Sequence, residues 1–500
     1  MNRRNFIKSA GVVAALGSLH SEQGAMAAMK SSGMNSDTMA AMLSSGTNTG
    51  AMSPLGFLTT DAGAASGAGR MATKPFRVTA TGSNFEREPL IRPFGFKGGY
   101  LTEIWQSACM LQGESGIRKV GVCTHSVLWS DAEVFAAHSP AAGDAIMFAI
   151  TERGLQMIKG QTFESPVHMI ENIKDELWAY GKKITGHPNL RKTFVLNALV
   201  GVDNAAWLLY AAENGITKFD DLIPAVYRPA LSYRHDKVAS IPLMAYAIPV
   251  NEIVQAVDEG YFFMKIKIGQ PGTQEEMLQK DMARLSEIHQ AIGKRTTTYS
   301  KDGKLPYYFD ANGRYEKKET LQRLIDHAKK IGAFDQIAII EEPFPEELDI
   351  DVSDLGVRLA CDESAHTDVD ALKRIQMGYK AVALKAAAKT MSMTMKIAKV
   401  AHEHDVPCFL ADLTVNPILV EWNKNVAARL SPFPGLGTGL LETNGHQNYT
   451  NWDKMLTYNP TSTASWAKTV QGVFNLNPDY YDRSGGIFEP SPHYEAWFNK

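Results

Sequence analysis

Cysteine is scarce in this 500-residue chain: Cys109, Cys123, Cys361 and Cys408 are all of it, without a Cys-x-x-Cys pair. Nothing in that usage demands a disulfide framework or a thiolate metal site. Cys361 and Cys408 fall in apolar runs and read as buried thiols. Long hydrophobic runs are missing too, since nothing approaches the roughly 20 apolar residues needed to cross a bilayer. An excess of one charge is also absent: Lys and Arg total 51 against 54 Asp and Glu, a net charge of −3. That balance gives no reason to expect nucleic acid or a strongly charged partner. What is present, 44% hydrophobic and 21% charged residues, is ordinary globular content, and the length allows two to four domains.

The N-terminus reads as an address rather than as fold. Arg3-Arg4-Asn5-Phe6-Ile7-Lys8 precedes the mildly apolar Ala10–Leu19 and then Ala25-Met26-Ala27. This is the layout of a twin-arginine signal peptide with its cleavage site, over residues 1–27. A periplasmic or secreted protein is expected, carried by the twin-arginine export machinery and without a membrane anchor after cleavage. Residues 28–74, rich in Met, Ser, Gly, Ala and Thr, form a low-complexity linker too poor in large apolar groups to build a core. Met26, Met29, Met39 and Met42 could offer thioethers to Cu(I), but a plain tether suits the composition better.

Residues 75–236 have an α+β pattern. Gly-punctuated stretches at Phe94–Gly99 and Lys119–Cys123 read as a small antiparallel sheet, followed by helices over about 141–159, 167–181 and 194–214. In the last, Val195, Leu196, Leu199, Val202 and Ala206 keep the period of a buried helical face.

From 237 to 441 strands and helices alternate. Apolar runs at Tyr261–Met264, Leu305–Phe309, Gln336–Ile340, Val357–Cys361 and Lys380–Leu384 each end in charged residues. Those ends are Lys265-Ile-Lys267, Asp310-Ala-Asn312, Glu341-Glu342-Pro343, Asp362-Glu363-Ser364 and Lys385. Strand seven is expected at Pro407–Ala411 and strand eight within Gly435–Leu441. Most steps are about 20–30 residues, the length of a βα unit. The longer step before Asp310 contains Lys294–Lys304, a polar stretch that reads as an inserted surface loop. The expected fold class is α/β, a modified (β/α)8 barrel of TIM type with an N-terminal α+β capping domain. Residues 442–500 read as an irregular C-terminal segment packed back on that domain.

A barrel brings the C-terminal ends of its strands to one face. Asp310, Glu341 and Asp362 then share a mouth with Lys265, Lys267 and Lys385. Side chains alternate along a strand, so both lysines of the 265–267 pair face inward while Ile266 faces the helices. Buried lysines are costly unless used. Three carboxylates suit a hard divalent cation, Mg²⁺ before zinc, with Mn²⁺ as a substitute. Burial and nearby positive charge are expected to bring a lysine down from about 10.4 toward the range of a base.

Taken in order, KIKIG (Lys265–Gly269), FDANGRY (Phe309–Tyr315), IIEEP (Ile339–Pro343), CDES (Cys361–Ser364) and VALK (Val382–Lys385) resemble the enolase superfamily. The likeness is to its mandelate racemase and muconate lactonizing enzyme relatives, over roughly 74–448. It implies one Mg²⁺ per site, held by Asp310, Glu341 and Asp362. Glu341 is preferred to Glu342 because the family's ligand is the first acid before the proline. Lys267 and Lys385 resemble the bases on either side of the substrate, the lactonizing-enzyme arrangement, with Lys265 beside them. Asn312, Glu363 and Asp412 are candidates to support the ligands or touch substrate, and Glu442 for the rim. His125, Trp129 and Lys97 lie in capping segments that could cover the substrate. A His–Asp dyad is not expected, because strand seven ends in Ala411-Asp412 and His402 and His404 fall on the preceding helix. One departure follows Lys385, where Ala386-Ala-Ala-Lys389 replaces the usual glycines.

The resemblance further implies abstraction of a proton next to a carboxylate through an enediolate. A racemase or epimerase of a small carboxylic acid is the leading reading. An acid-sugar dehydratase or a cycloisomerase would use the same machinery. A non-catalytic exported binding protein is the alternative of another class. A homo-oligomer is expected.

Overall fold

The computed structural model describes residues 73–96 and 99–499. The signal peptide, the linker as far as Ala72, and Lys97 lie outside the described residues.

The N-terminal region is led by three long strands, β1 (Ala80–Phe96), β2 (Gly99–Gln112) and β3 (Arg118–Thr124), paired antiparallel in that order. Helices Pro140–Ile158 and Pro166–Thr185 follow, each with proline in its first turn and a serine cap. The apolar stretch expected as one helix from 194 is two, Lys192–Ala198 and Val200–Glu213, bent by 49°. The second helix lies almost entirely buried against the sheet. Gly121 permits that approach: a Cβ there would stand 2.3 Å from the backbone of both Gly201 and Ala205.

The second region is a sheet of parallel strands closed on itself. In chain order these are β4 (Lys237–Ile241), β5 (Leu243–Met244), β6 (Lys265–Lys267), β7 (Tyr307–Asp310), β8 (Ile337–Glu341), β9 (Leu359–Cys361), β10 (Ala381–Leu384), β11 (Cys408–Leu410) and β12 (Gly439–Glu442). β4 pairs with β12 while β5 pairs with β6, so one stave, interrupted at Pro242, closes the barrel on both sides. Proline cannot donate to a ladder, which accounts for the interruption. Helices cover the outside; Asp368–Gln376 carries the capping box of Thr367 and Asp370, and Lys318–Lys330 buries Leu321, Leu324, Ile325 and Ala328.

Several expectations need adjustment. The strand expected at Tyr261–Met264 is instead Lys265–Lys267, which pairs with Tyr308–Asp310. The lysines enter the ladder because their ammonium groups find carboxylates inside the barrel. Cys408 is only half-buried, unlike Cys361. The C-terminal segment touches both regions: β13 (Val473–Asn475) pairs antiparallel with β4, while His493 meets Glu86 and Asn451 meets Glu88. The capping helix is fixed to the barrel through buried Asp203, which accepts from the backbone and hydroxyl of Ser392; the Trp207 indole donates to the same hydroxyl at 3.1 Å.

Candidate active site

β6 aims both of its lysines into the barrel mouth. Lys265 Nζ lies 2.9 Å from Asp310 Oδ2, 3.0 Å from Glu341 Oε1 and 3.2 Å from Glu442 Oε2. Lys267 Nζ reaches Asp310 Oδ2 at 2.6 Å and also donates to Asn312 Oδ1. From the sixth stave, Lys385 Nζ contacts Asp362 Oδ2 at 2.5 Å and sits 4.1 Å over the Trp129 ring. All three lysines are buried.

Two strand ends turn in the left-handed region. Asn312 has φ 46° and Glu342 has φ 38°, conformations uncommon for residues other than glycine. The turn at Asn312 lets its amide donate to Asp310 Oδ2 at 3.3 Å and Glu363 Oε1 at 3.0 Å. The turn at Glu342 separates the two adjacent acids. Glu341 stays inside, accepting from Lys265 and the buried Tyr308 hydroxyl. Glu342 instead accepts from the Asp362 and Ser364 amides and the Ser364 hydroxyl, bracing the turn after β9.

Electrostatics follow from burial opposed by pairing. Burial disfavours an ionised Asp310, but Lys265 and Lys267 outweigh it and hold the group down at about 2. Asp362 is depressed further by Lys385 and Lys389 against the same burial. Glu341 goes the other way, well above the carboxylate range, because burial is joined by the charges of Asp310 and Asp362. Lys265 and Lys385 correct the expectation that the lysines are brought down. Burial does pull on each, yet neighbouring carboxylates, Asp310 for Lys265 and Asp362 for Lys385, hold both above the ordinary lysine value.

Oxygens of Glu341, Asp362 and Glu363 all lie within 4.8 Å of one another. Asp310 is drawn toward the β6 lysines beside them. Around the mouth, Asp310, Glu341, Asp362, Glu363, Asp412 and Glu442 outnumber Lys265, Lys267, Lys385 and Lys389. Carboxylate oxygens gathered this closely fit a hard divalent cation such as Mg²⁺.

Asp412 is brought to the rim but is occupied with the backbone. It accepts from the amides of Leu413, Val415 and Asn444, and burial followed by Glu442 raises it to about 7. Trp129 and Leu128 wall the cavity from the cap. His125 does not line it; the ring is buried in the cap against Ser107 and is held neutral, lowered to about 3 by burial. His402 and His404 are exposed on the barrel's exterior. Sequence reasoning missed Lys389 as a site residue. It is wholly buried one helical turn after Lys385 and donates to the Asp362 carbonyl at 2.6 Å and to Oδ1 at 3.3 Å. The signal was available in the departure from glycine after strand six. Asn444, which donates to Glu442 and lines the cavity, had no such signal.

Residues 250–444 match the family model described as enolase C-terminal domain-like. That span takes in most of the barrel, from the helix before β6 to the end of β12. No curated protein sequence matches the chain. Among solved structures, a mandelate racemase/muconate lactonizing protein from Herpetosiphon aurantiacus is 15% identical with a TM-score of 0.54, covering 81% of this chain and 97% of its own. A dipeptide epimerase from Enterococcus faecalis V583, complexed with Mg and the dipeptide L-Leu-L-Tyr, is 16% identical with a TM-score of 0.51; coverage is 73% and 90%. The L-talarate dehydratase from Polaromonas sp. JS666, complexed with Mg and L-glucarate, is 17% identical with a TM-score of 0.50; coverage is 76% and 88%. Identity this low is a likeness of fold. Within the matched span, the strand ends of this chain carry the acids and lysines described above.

Proposed function

We propose that this chain is a Mg²⁺-dependent racemase or epimerase of a small carboxylic acid. The carrying observation is the placement of Lys267 and Lys385 at the ends of the second and sixth staves. Those positions are half a turn apart in an eight-stave barrel, and both side chains line one cavity with Asp362. Asp310, Glu341, Asp362 and the adjacent Glu363 are the residues that would hold the cation. A cation held there would supply the positive charge that offsets the second negative charge formed when a carboxylate loses its α-proton.

The lysines perform the proton transfer. Each exchanges one proton at Nζ: a lysine released from its carboxylate once a cation neutralises that group would take the proton from one face, and the other, charged lysine would return one to the opposite face. Lys265, held by Asp310, Glu341 and Glu442, stays an ammonium and orients those acids. The cap excludes water with Leu128 and Trp129, which strengthens every charge interaction inside. Dehydration of an acid sugar, as the talarate dehydratase's name describes for that protein, would use the same groups; the second lysine favours isomerisation. Arg3-Arg4 and the segment behind them support the further proposal that the enzyme acts after twin-arginine export.

The test is α-proton exchange in D₂O, followed by NMR over a panel of chiral α-substituted carboxylates. Exchange with interconversion of stereoisomers is expected, abolished by EDTA and restored by Mg²⁺. Full activity in a verified metal-free preparation would overturn the reading. Elimination without interconversion would make the protein a dehydratase.

A further inference from the structure

Another cavity, of about 320 Å³, shares no lining residue with the one at the barrel mouth. Helix Pro417–Ala427 lines it with Val420 and Glu421, helix Trp452–Leu456 with Trp452 and Leu456, and β13 with Phe474. Its volume is in the range of small-molecule sites. Apart from Glu421, these side chains are apolar. Glu421 is 3% exposed, and Lys424, further along the same helix, is wholly buried. Lys424 Nζ donates to Glu421 Oε1 at 2.8 Å and to the Trp466 carbonyl at 2.9 Å, and it sits 4.1 Å over the Phe474 ring. Glu421 Oε2 is buried with no hydrogen-bond partner among the described residues. Gly485 leaves that oxygen uncovered on one side, since a Cβ there would stand 2.6 Å from it.

A buried carboxylate oxygen without a donor is destabilising, and a hydrogen bond to an ionised group is stronger than one between neutral groups. Charge decides what should carry the donor. Lys424 already balances Glu421, and the exposed Asp453 and Lys468 offset each other at the rim. Seating a further ion beside that balanced pair would leave a charge desolvated and unpaired. The rings of Trp452 and Phe474 suit an aromatic body. We propose that this cavity binds a small neutral aromatic molecule with one hydroxyl donor, a phenol in chemical class. Its ring packs against Val420, Trp452, Leu456 and Phe474, and its hydroxyl donates to Glu421 Oε2. The site is separate from the barrel mouth and does not depend on the isomerase reading.

The experiment compares 2-naphthol with 2-methylnaphthalene, which matches its shape and lacks the donor. Ligand-observed NMR and fluorescence titration of the full chain give Kd for each. The phenol is expected to bind roughly tenfold or more tightly. 2-Naphthylmethylammonium, similar in shape but charged, should bind more weakly than the phenol. In Glu421→Gln the preference for phenol over hydrocarbon should fall toward one. Because that change also disturbs Lys424, Ala467→Trp is the second variant: it fills the cavity from a half-buried position and keeps both members of the ion pair. Both ligands should then bind more weakly by roughly tenfold or more.

Equal affinity for phenol and hydrocarbon overturns the inference, as does tighter binding of the ammonium. Binding undiminished in Ala467→Trp overturns it by putting the ligand elsewhere, and absence of any binding does so outright. A Glu421→Gln protein that folds by circular dichroism and keeps the full preference overturns it as well. If that variant does not fold, the native comparison and Ala467→Trp decide.

Discussion

Lys267 and Lys385 reach the cavity from opposite staves, which gives each mutant a distinct expected phenotype. Lys385→Ala should lose interconversion while still exchanging the α-proton of one stereoisomer with D₂O, and Lys267→Ala should exchange the other. Loss of the general base costs about 10²–10⁴-fold in the direction it serves. Near-native exchange of both isomers by both mutants would show that neither lysine is the base. Lys389 carries a different expectation because it touches Asp362 from behind and does not line the cavity. Lys389→Met leaves the Asp362 carbonyl and Oδ1 without that donor in a buried setting, so a loss of about 3–5 kcal/mol in stability is expected. Urea denaturation measures it; a loss below about 1 kcal/mol would show that the ammonium is not holding the strand end.

Inside the cap, one strand and one helix meet at a single close approach. Gly121 on β3 faces Gly201 and Ala205, with backbone atoms 2.3 Å from where a Cβ would stand. Gly121→Ala must push helix Val200–Glu213 away, and that helix carries Asp203 and Trp207, the contacts to Ser392. A loss of at least about 2 kcal/mol is expected in chemical denaturation; an unchanged midpoint would mean that the helix yields freely. The neighbouring helix Pro140–Ile158 supplies a pH signature. Asp144 on it is buried and raised to about 8, first by burial and then by Glu103. A carboxyl raised on folding contributes stability that is complete below its unfolded value near 4 and is lost as pH rises through about 8. The melting temperature should therefore fall between about pH 4 and about pH 8, and Asp144→Asn should flatten that fall. An identical slope in the mutant would assign the dependence to other groups.

Barrel, cap and C-terminal segment enclose the charged mouth together, so cation binding should register in the stability of the folded unit. Mg²⁺ at about a hundred times its Kd adds about 2.7 kcal/mol to a native state that alone binds it. Calorimetry should show Tm rising with Mg²⁺ and no rise in Asp362→Asn, whose replacement is nearly isosteric. A rise of equal size in that mutant would move the cation site elsewhere.

Much of the barrel and its donors was legible in the sequence, since the information is local. An apolar run closed by an acid at βα spacing marks a strand end, and the Lys-Ile-Lys parity puts both ammonium groups on one face whatever the rest of the chain does. The order of Asp310, Glu341, Asp362 and Lys385 then follows from the topology of a parallel barrel. Local pattern said nothing of Glu342 turning away through a positive φ, or of Trp129 over Lys385. The exact strand at Lys265–Lys267 and the pairing of Val473–Asn475 with β4 were equally hidden. Those depend on partners far away in the chain: carboxylates that draw lysines into a ladder, and a cap held against the barrel by buried hydrogen bonds. Sequence alone determined which groups the barrel presents; which of them meet, and what charge each carries, only the closed tertiary structure decided, because burial and opposing charge act through space.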